Sequence, residues 1–473
     1  MEPTDNTPRE VSRRAFLKGT AVSAAGFMIV PRHVLGGPGY VAPSDKVNIG
    51  VVGVGGRGKE NTGDLLKLPD VQVVAIADPA EYWDLNRFYY KTEAGRGPVK
   101  KMIESHYQAK TPKFKLAEYA DFRTMLEKER KLDAILCATP DHTHAFVSLQ
   151  AMRAGKHVYC EKPLTHNLWE AREVARVARE SKLATQMGNQ LHSTEKIRRT
   201  VEYLQAGTIG KVREVHAWAS ANRWHQGLSG LPGGSSEVPK GLNWDLWLGP
   251  RESLPFHTDY APVTWRDFWA FGCGALGDFG CHDLDAATWG LELPIPETVQ
   301  VLPAGQSNAD IIPYGEIGYY SFPARGEQPP VRLTWYSSGL RPPVPEMAPE
   351  GFAFPGRGTM FVGDKGILLH DWSKDNPKLL PESLETSTTP PPTVLPRSNG
   401  HHRDWVDAIK GGPAASSNFE YGARLTEITL LGVLSLRLGG KRIQWDAQNM
   451  KAVGLPAADE FIKEPVRKGW EMA

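Results

Sequence analysis

The first half of the chain alternates between short apolar runs and stretches with helical periodicity. Nearly continuous apolar runs are typical of parallel strands that are buried on both faces. We predict strands at residues 47–52, 71–77, 132–138 and 157–160, and helices at residues 59–68, 121–130 and 144–154. Strands and helices that alternate in this way predict a doubly wound parallel sheet with right-handed crossovers.

The pattern changes after residues 188–190. A helix is predicted at residues 195–205, and alternating or strand-like segments follow at 212–221, 316–322 and 331–336. Helical segments return at residues 403–409 and 423–438, and the runs 341–356 and 383–396 are predicted to be surface loops. We therefore predict an α/β domain at residues 46–187, and an α+β domain with an open, mainly antiparallel sheet at 188–473. Residues 82–113 are longer than a helix and a loop require, and are interpreted as an insertion of unassigned purpose.

The first 45 residues have a different pattern, which predicts a signal peptide and linker. Residues 12–18 read S-R-R-A-F-L-K and match the twin-arginine export pattern at every specified position. The apolar run at residues 19–30 has the length of a signal-peptide core and is too short to span a bilayer. We predict export to the periplasm by the twin-arginine machinery, cleavage within residues 34–43 and no membrane span in the mature protein. The alternative is an amphipathic N-terminal helix.

Composition excludes some classes of function. The 55 basic and 54 acidic side chains nearly cancel, and no basic stripe is present, so nucleic-acid binding is not expected. Four cysteines in 473 residues do not form a disulfide framework. Cys137 and Cys160 lie in apolar strand-like runs and are interpreted as small buried hydrophobic residues.

A glycine-rich turn, Gly53-Val54-Gly55-Gly56-Arg57-Gly58, follows the first predicted strand. In a G-x-G-x-x-G turn the first glycine permits the tight turn, the second lets the backbone approach a pyrophosphate, and the third lets helix pack on strand. The helix N-terminus then offers N–H groups to the phosphates.

Asp78 ends the second predicted strand, 20 residues beyond Gly58. An acid there accepts hydrogen bonds from ribose hydroxyls and repels a 2′-phosphate, which predicts NAD rather than NADP. Arg87 could weaken that preference, and the alternative is that Asp78 is a solvated turn residue.

The unusual residues of the first domain follow predicted strands. Thr139-Pro140-Asp141-His142-Thr143-His144 and Glu161-Lys162-Pro163 stand where a doubly wound sheet binds its ligand, at the carboxyl ends of strands. The predicted cofactor-binding residues are Gly53, Gly55, Gly56, Arg57, Gly58, Asp78, Thr139, Pro140, His144, Glu161, Lys162 and Asn189.

Candidate catalytic residues are Lys162, Asp278 and His282. Oxidation of an alcohol needs a hydride acceptor and a group that takes the hydroxyl proton. Asp278 and His282 are four residues apart and share one face of a helix, and histidine has the pKa that suits a general base. Asp278 would orient His282 or bind substrate, while Lys162 would bind the reacting oxygen or join the proton relay. The alternatives are an exposed lysine and an ordinary Asp–His pair on a helix.

Two histidine pairs are interpreted without a metal. His142 and His144 lack an obvious third ligand, so His144 is predicted to line the nicotinamide pocket and His142 to face substrate. His401 and His402 are predicted to begin a surface helix.

Tryptophans are frequent in the second domain, with seven between residues 218 and 289. Aromatic faces stack on the C–H faces of sugars, and indole N–H groups donate to hydroxyls. Most of the seven are expected to be core residues. The predicted substrate contacts are His142, Gln190, Trp244, Trp265 and Arg266.

These motifs together resemble the Gfo/Idh/MocA-type oxidoreductases, a family that includes glucose–fructose oxidoreductase and inositol dehydrogenase. The resemblance covers residues 46–446. It depends on the glycine turn, Thr139-Pro140 with His144, Glu161-Lys162-Pro163 and Gly277-Asp278-Phe279-Gly280-Cys281-His282. Residues 243–250, N-W-D-L-W-L-G-P, are similar to exported members of the family.

The resemblance implies a Rossmann domain, NAD, a small carbohydrate, glycoside or polyol substrate, a homodimer or homotetramer, and the roles given above for Lys162, Asp278 and His282. Because the twin-arginine route exports folded proteins, we expect tightly bound NAD that is recycled within the catalytic cycle. Residues 34–45 are a candidate strap over the cofactor, or else a linker removed on cleavage.

Two other functions remain open. One is an NAD-dependent glycoside hydrolase or lyase that works by transient oxidation, elimination, water addition and reduction. Residues 227–236 are glycine-rich but lack the histidine of that branch's loop. The other is a catalytically silent, NAD-bound sensor.

Overall fold

The computed structural model describes residues 42–472. The twin-arginine motif, the apolar run after it and residues 34–41 of the predicted strap lie outside the described residues. A 3₁₀ turn at Pro43–Asp45 precedes the compact unit that begins at Val47. None of the described helices is long and apolar enough to cross a membrane.

The first sheet has six parallel strands in the order β5-β2-β1-β6-β7-β8. They are β1 (Val47–Val52), β2 (Val71–Ala77), β5 (Ala117–Tyr119), β6 (Ala134–Cys137), β7 (His157–Glu161) and β8 (Thr185–Gly188). The β6 strand is buried along its whole length, as expected of a parallel strand covered on both faces.

Five helices connect these strands. They are α1 (Gly56–Leu65), α2 (Arg96–Gln108), α3 (Phe122–Lys128), α4 (Asp141–Arg153) and α5 (Leu168–Ser181). The Asn167 side chain begins α5 with a capping box to Glu170. The predicted insertion contains α2, an ordinary crossover helix, so the additional structure is confined to a two-stranded hairpin, β3 (Trp83–Asp84) and β4 (Glu93–Ala94).

The second sheet has nine strands in the order β15-β14-β13-β9-β12-β11-β10-β16-β17. Their bounds are β9 (Val212–Trp218), β10 (Thr298–Ala304), β11 (Gly315–Phe322), β12 (Val331–Tyr336), β13 (Gly358–Gly363), β14 (Ile367–Asp371), β15 (Lys378–Leu380), β16 (Ile443–Asp446) and β17 (Lys451–Ala452). Among the pairs recorded in this sheet, only β9 and β12 are parallel. The predicted combination of a doubly wound parallel sheet and a mainly antiparallel sheet is confirmed.

Eight further helices belong to the second half of the chain. They are α6 (Glu195–Gln205), α7 (Trp244–Leu248), α8 (Gly274–Asp283), α9 (Asp285–Gly290), α10 (Glu382–Ser387), α11 (His401–Ile409), α12 (Phe419–Arg437) and α13 (Asp459–Ile462). The α10 helix lies in a segment that was predicted to be a loop.

Helices from the C-terminal part pack against the first sheet. The α12 helix contacts α5, α8 and β8. Trp405 and Val406 of α11 join the apolar cluster formed by β1 and β2. Asp70, which precedes β2, accepts hydrogen bonds from Arg403 at 2.6 Å and from Lys410 at 2.8 Å. One large core cluster therefore includes residues from both sheets.

Candidate active site

A cavity of about 430 Å³ lies at the carboxyl edge of the first sheet. The ends of β1, β2, β6 and β7 form one wall, and the segment from Leu246 to Arg266 contributes to the rest. The predicted site residues that line it are Gly53, Gly55, Gly56, Arg57, Asp78, Thr139, Pro140, His144, Glu161, Lys162, Gln190, Trp265, Arg266 and His282.

The glycines of the turn have different surroundings. Gly53 has a φ of +80°, and a Cβ there would lie 2.7 Å from backbone atoms of Ala138. At Gly58 a Cβ would lie 1.9 Å from the carbonyl oxygen of Gly53, so helix and turn meet closely at this point. A Cβ at Gly55 would meet no atom within 4 Å, and Gly55 lines the cavity. Gly55 therefore leaves space at the start of α1 into which a ligand fits.

Asp78 connects the end of β2 to the glycine turn. Its carboxylate accepts hydrogen bonds from the backbone N–H groups of Val54 at 2.7 Å and Ala80 at 2.8 Å. The residue is only 6% exposed, which excludes a solvated turn residue. Burial raises its pKa to about 6. Because a carboxylate oxygen can accept more than one hydrogen bond, Asp78 can hold the turn and also bind a hydroxyl group.

Glu161 gathers polar groups at the end of β7. Its Oε1 accepts hydrogen bonds from Asn61 at 2.8 Å, Gln190 at 2.7 Å and Arg57 at 3.3 Å. Although burial opposes ionisation, the positive charge of Arg57 and the bond from Asn61 hold the pKa of Glu161 below its usual value. Its buried Oε2 has no hydrogen-bond partner among the described residues.

Lys162 and Asp278 form an ion pair beside Arg266. The Lys162 Nζ also donates to the carbonyl oxygen of Asp278 at 2.9 Å, and the Arg266 Nε lies 3.7 Å from Asp278 Oδ2. Burial alone would raise the pKa of Asp278, but the charges of Lys162 and Arg266 hold it below its ordinary value. The ammonium group is thus held in place at the cavity wall.

His282 lies four residues beyond Asp278 on α8 and lines the same cavity. Burial and the nearby charge of Lys162 lower its pKa well below the ordinary value, so the imidazole is neutral at physiological pH. Its Nδ1 has no hydrogen-bond partner among the described residues. Asp278 pairs with Lys162 and not with His282, so the interpretation that Asp278 orients His282 is not supported.

His144 joins the two loops that follow β6 and β7. Its Nδ1 lies 2.7 Å from the carbonyl oxygen of Pro163, and its Nε2 lies 2.8 Å from that of Thr139. His144 lies close to the thiols of Cys137 and Cys160. The atoms of these three side chains that could bind a metal ion all lie within 4.8 Å of one another. Both ring nitrogens of His144 face carbonyl oxygens, so His144 connects the two loops.

Three predicted site residues are buried away from the cavity and require correction. The ring nitrogens of His142 lie 3.3 Å and 3.0 Å from the carbonyl oxygens of Phe271 and Trp247, so it does not face substrate. Trp244 stacks on Trp247 at 4.6 Å in an aromatic core.

Asn189 is the third correction. Its amide donates to Asp285 at 3.0 Å, and its oxygen accepts from Ser417 at 2.5 Å. These bonds fix the chain before Gln190, which does line the cavity. Gly58 also lies outside the lining, where it serves helix packing.

The paired histidines that begin α11 are buried, each only 7% exposed, and not at the surface as predicted. His401 Nε2 lies 2.8 Å from the carbonyl oxygen of Met187. His402 stacks on Tyr159 with ring centroids 5.0 Å apart. They attach α11 to the first sheet.

Several lining residues were not predicted. Trp83, Leu85, Tyr89 and Tyr90 reach the cavity from the hairpin segment 82–95, and Trp470 reaches it from the C-terminal segment. A Cβ at Gly56 would lie 2.4 Å from the Tyr90 ring, so this ring rests directly on the glycine turn. The unusual length of residues 82–113 was visible in the sequence. It did not indicate that these side chains would fold toward the cavity.

Comparison with known families agrees with this geometry. Residues 96–189 match the model of an oxidoreductase family with an NAD-binding Rossmann fold, and residues 195–320 match that family's C-terminal α/β domain. The two matches follow one another in the order of the domains. Both halves of the chain thus match the two domain models of the Gfo/Idh/MocA oxidoreductase family.

Relatives of known name are distant and align over only part of their length. The chain is 23% identical over 171 residues to levoglucosan dehydrogenase of Pseudarthrobacter phenanthrenivorans, covering 36% of this chain and 35% of that protein. It is 27% identical over 183 residues to a glycosyl hydrolase family 109 protein of Shewanella pealeana, covering 36% and 37%. It is 23% identical over 244 residues to the rhizopine catabolism protein MocA of Rhizobium meliloti, covering 52% and 57%. The chain thus spans well under two thirds of these relatives.

Solved structures share the fold. The WlbA dehydrogenase of Bordetella pertussis, in complex with NADH and UDP-GlcNAcA, superposes with a TM-score of 0.54 at 15% identity, covering 85% of this chain and 99% of that one. A levoglucosan dehydrogenase in complex with NADH and L-sorbose gives a TM-score of 0.53 at 15% identity, covering 84% and 98%.

The residues at the sheet edge fit NAD. The open space at Gly55, the N-terminus of α1 and the buried carboxylate of Asp78 match the pyrophosphate and ribose of a dinucleotide. Glu161 and Gln190 supply polar groups at the opposite side of the same edge. The first domain is an NAD-binding Rossmann domain, and the predicted cofactor is confirmed.

Proposed function

We propose that the protein is an NAD-dependent oxidoreductase that acts on a secondary hydroxyl of a sugar, glycoside or polyol. The observation that carries the proposal is the placement of Lys162, which Asp278 holds from behind the lining, and the neutral His282 in one cavity with the glycine turn. Relatives named for levoglucosan and 1,5-anhydro-D-fructose support a carbohydrate substrate.

NAD held at the glycine turn and Asp78 would supply the acceptor for the hydride that leaves the carbon bearing the hydroxyl. The ammonium group of Lys162, held by Asp278, donates a hydrogen bond to the substrate oxygen and stabilises negative charge on it as the O–H bond breaks. His282 is neutral and lines the cavity, so its imidazole can take the hydroxyl proton. From the cavity wall, Arg266 offers further donors to neighbouring hydroxyls. The Gln190 amide donates to Tyr159 and Glu161, so its side-chain oxygen is the group that it offers as an acceptor.

Asp278 has a positioning role in this mechanism. Its carboxylate lies between Lys162 and Arg266, so it fixes the ammonium group and balances the two positive charges. Loss of the Asp278 carboxylate would remove the acceptor that fixes the Lys162 side chain at the cavity wall.

Substitution of the three residues tests the mechanism. Lys162→Met, Asp278→Asn and His282→Asn should each lower kcat by about two to four orders of magnitude. The Lys162→Met/Asp278→Asn double variant should be little worse than Lys162→Met, because the pair acts as one unit. NAD affinity, measured by calorimetry on each variant after bound nucleotide has been removed, separates chemistry from binding. Near-normal turnover in His282→Asn would remove His282 from the role of base.

A second candidate function is an NAD-dependent glycosidase, which transiently oxidises the sugar, eliminates the leaving group, adds water and reduces the product again. Several relatives named as glycosyl hydrolase family 109 proteins favour it. The two functions differ in net reaction. Release of the aglycone from a glycoside without net formation of NADH supports the glycosidase, and net formation of NADH supports the dehydrogenase.

Export and assembly complete the proposal. The S-R-R-A-F-L-K motif supports recognition by the twin-arginine machinery and a periplasmic location. Replacement of Arg13 and Arg14 by lysine should retain the protein in the cytoplasm, and equal periplasmic yield would contradict this route.

We also propose a homodimer or homotetramer, which light scattering on the purified protein would test.

A further inference from the structure

Two exposed aromatic side chains stack together at the cavity. Tyr89 is 57% exposed and Trp224 is 40% exposed, and their rings lie 5.7 Å apart with an interplanar angle of 19°. Tyr89 also lines the cavity that contains Lys162 and His282. Tyr89 comes from the hairpin segment of the first half, and Trp224 follows β9 of the second. The two halves of the chain thus build one aromatic surface beside the candidate active site.

The backbone that carries Trp224 is firmly held although its ring is exposed. Asp267, fully buried, accepts hydrogen bonds from the N–H groups of Trp224 at 2.9 Å and His225 at 2.6 Å. Arg223 is 3% exposed and donates to the carbonyl oxygens of Gln306 and Ile312 at 3.0 and 3.1 Å. Buried charged groups are costly unless they are bonded in this way. Because these contacts fix the backbone of the segment, the Trp224 ring is presented to solvent in a fixed position. A mobile loop would not hold the ring in this way.

The Tyr89 side chain contacts both the cavity and Trp224. Its ring is exposed, whereas burial of its hydroxyl raises the pKa of that group, and the positive charge of Arg266 acts in the opposite direction. Tyr89 also packs on Tyr90, with ring centroids 4.0 Å apart, and Tyr90 lines the same cavity. Tyr89 connects the inner part of the cavity with the aromatic surface.

Half-exposed polar groups border this surface. His225, the neighbour of Trp224, has its Nε2 3.4 Å from Asp259 Oδ1, and the Nδ1 of His257 lies 3.5 Å from Asp259 Oδ2. All three side chains retain some exposure. An apolar face bordered by a few donors and acceptors suits a ring with C–H groups on its face and hydroxyls at its edge.

We propose that Tyr89 and Trp224 form an outer subsite that binds a second sugar ring, so that the substrate is a disaccharide or a longer glycoside. The inference rests on the proposed function, since it places the oxidised sugar at Lys162 and His282 and the next ring outside it. Two side chains expose far less than the roughly 800 Å² per partner that a stable protein interface buries, which favours a small ring over a docked protein.

The experiment compares one-ring and two-ring ligands on the purified full protein. Calorimetry would measure the affinity for gluco-, galacto- and N-acetylhexosaminyl disaccharides and for the matching methyl monoglycosides. Trp224→Ala should weaken disaccharide binding about tenfold, with a much smaller effect on the monoglycoside. Trp224→Phe keeps an aromatic face and should recover most of the loss. Tyr319→Ala removes a tyrosine that is 45% exposed on β11 and serves as the control.

The outcomes separate the subsite from the chemistry. Loss of disaccharide affinity in Trp224→Ala supports the subsite even if no sugar in the panel is oxidised, in which case the proposed oxidoreductase function fails alone. Oxidation of monoglycosides with no preference for disaccharides would overturn the subsite alone. Equal weakening of both ligands, or a change of oligomeric state in Trp224→Ala, would also overturn it.

Discussion

Buried polar side chains around the cavity mostly hold backbone in place. Asp78 fixes the N–H of Val54, and His144 joins the carbonyl groups of Thr139 and Pro163. Such bonds satisfy buried donors and acceptors and also fix loops that would otherwise move. Aspartate and histidine often act in catalysis, but Asp78 and His144 contribute here by positioning the backbone around them.

The glycine turn gives a matched pair of substitutions. Gly55→Ala should leave the melting temperature nearly unchanged, because its Cβ meets no atom within 4 Å, yet weaken NAD binding by at least tenfold by filling the space for the pyrophosphate. Gly58→Ala should lower the melting temperature by several degrees, because its Cβ would lie 1.9 Å from the Gly53 carbonyl oxygen. Thermal denaturation and calorimetric titration with NAD, both on protein freed of bound nucleotide, check these expectations. Unchanged NAD affinity in Gly55→Ala would place the pyrophosphate elsewhere.

Glu316 on β11 predicts a pH dependence of stability. It is 1% exposed, and its carboxylate accepts a hydrogen bond from the Trp335 indole at 3.1 Å. Burial raises its pKa from 4.5 to about 7. The folded state therefore binds this proton more tightly than the unfolded state, and the stability that this provides is lost as the pH rises from 4.5 through 7.

Glu316→Gln removes this titration. Relative to the natural protein, the variant should gain stability as the pH rises, by up to about 3 kcal/mol above pH 7. Denaturant unfolding at pH 5 and pH 8.5 measures the difference, and Glu346→Gln, in the segment 341–356, is a control. A constant difference at both values of pH would contradict a raised pKa for Glu316.

At the scale of elements, local pattern predicted the strands best. The bounds of β1, β2, β12 and α6 agree with the prediction, since each has a clear apolar period and polar flanks. The α12 helix begins four residues before the predicted start because Asn418 caps it, and its apolar residues on all sides had obscured the period.

Contacts between distant parts of the chain were not predictable in the same way. His142 has the sequence context of a site residue, but backbone of residues 247 and 271 encloses it. Trp470 has no motif around it, yet it lines the cavity. The motifs gave the inner site residues, whereas the wall built by residues 82–95 and by the C-terminal segment depends on tertiary packing that a single sequence does not encode locally.

The C-terminal segment predicts an effect on cofactor release. Trp470 is 6% exposed, packs on Phe146 at 4.8 Å and lies under the Arg123 guanidinium at 4.4 Å. It lines the cavity together with Phe122, which follows β5, the neighbour of β2. Trp470 thus closes the side of the cavity where Asp78 would hold the adenosine ribose.

Trp470→Ala should accelerate NADH dissociation about tenfold, because the variant loses an apolar wall of the cavity. The rate is measured by mixing the NADH complex with excess NAD and following the fluorescence. Trp470→Phe should be intermediate, and Val453→Ala, at a residue 56% exposed, should have no effect. An unchanged rate in Trp470→Ala would show that the segment does not retain cofactor.

At the scale of the whole molecule, the proposed export and the proposed chemistry together impose a requirement on the cofactor. A protein that folds in the cytoplasm and works in the periplasm cannot replace NAD that it loses. Its catalytic cycle must therefore return the cofactor to its starting state, and its dissociation rate must be slow. The near-equal numbers of acidic and basic residues give no long-range attraction for a dinucleotide, so retention depends on contacts in the cavity.

We therefore expect the purified protein to contain about one dinucleotide per chain and to turn over without added NAD. Denaturation followed by chromatography of the released nucleotide measures the first, and assays with and without NAD measure the second. Truncation before Lys46 and Trp470→Ala then compare the two possible restraints on the cofactor. Residues 34–45 act as a strap if truncation speeds the loss of NAD, and the C-terminal wall dominates if only Trp470→Ala does. Protein that is isolated without nucleotide, and is active only with a continuous supply of NAD, would instead establish a simple dehydrogenase with an exchanging cofactor.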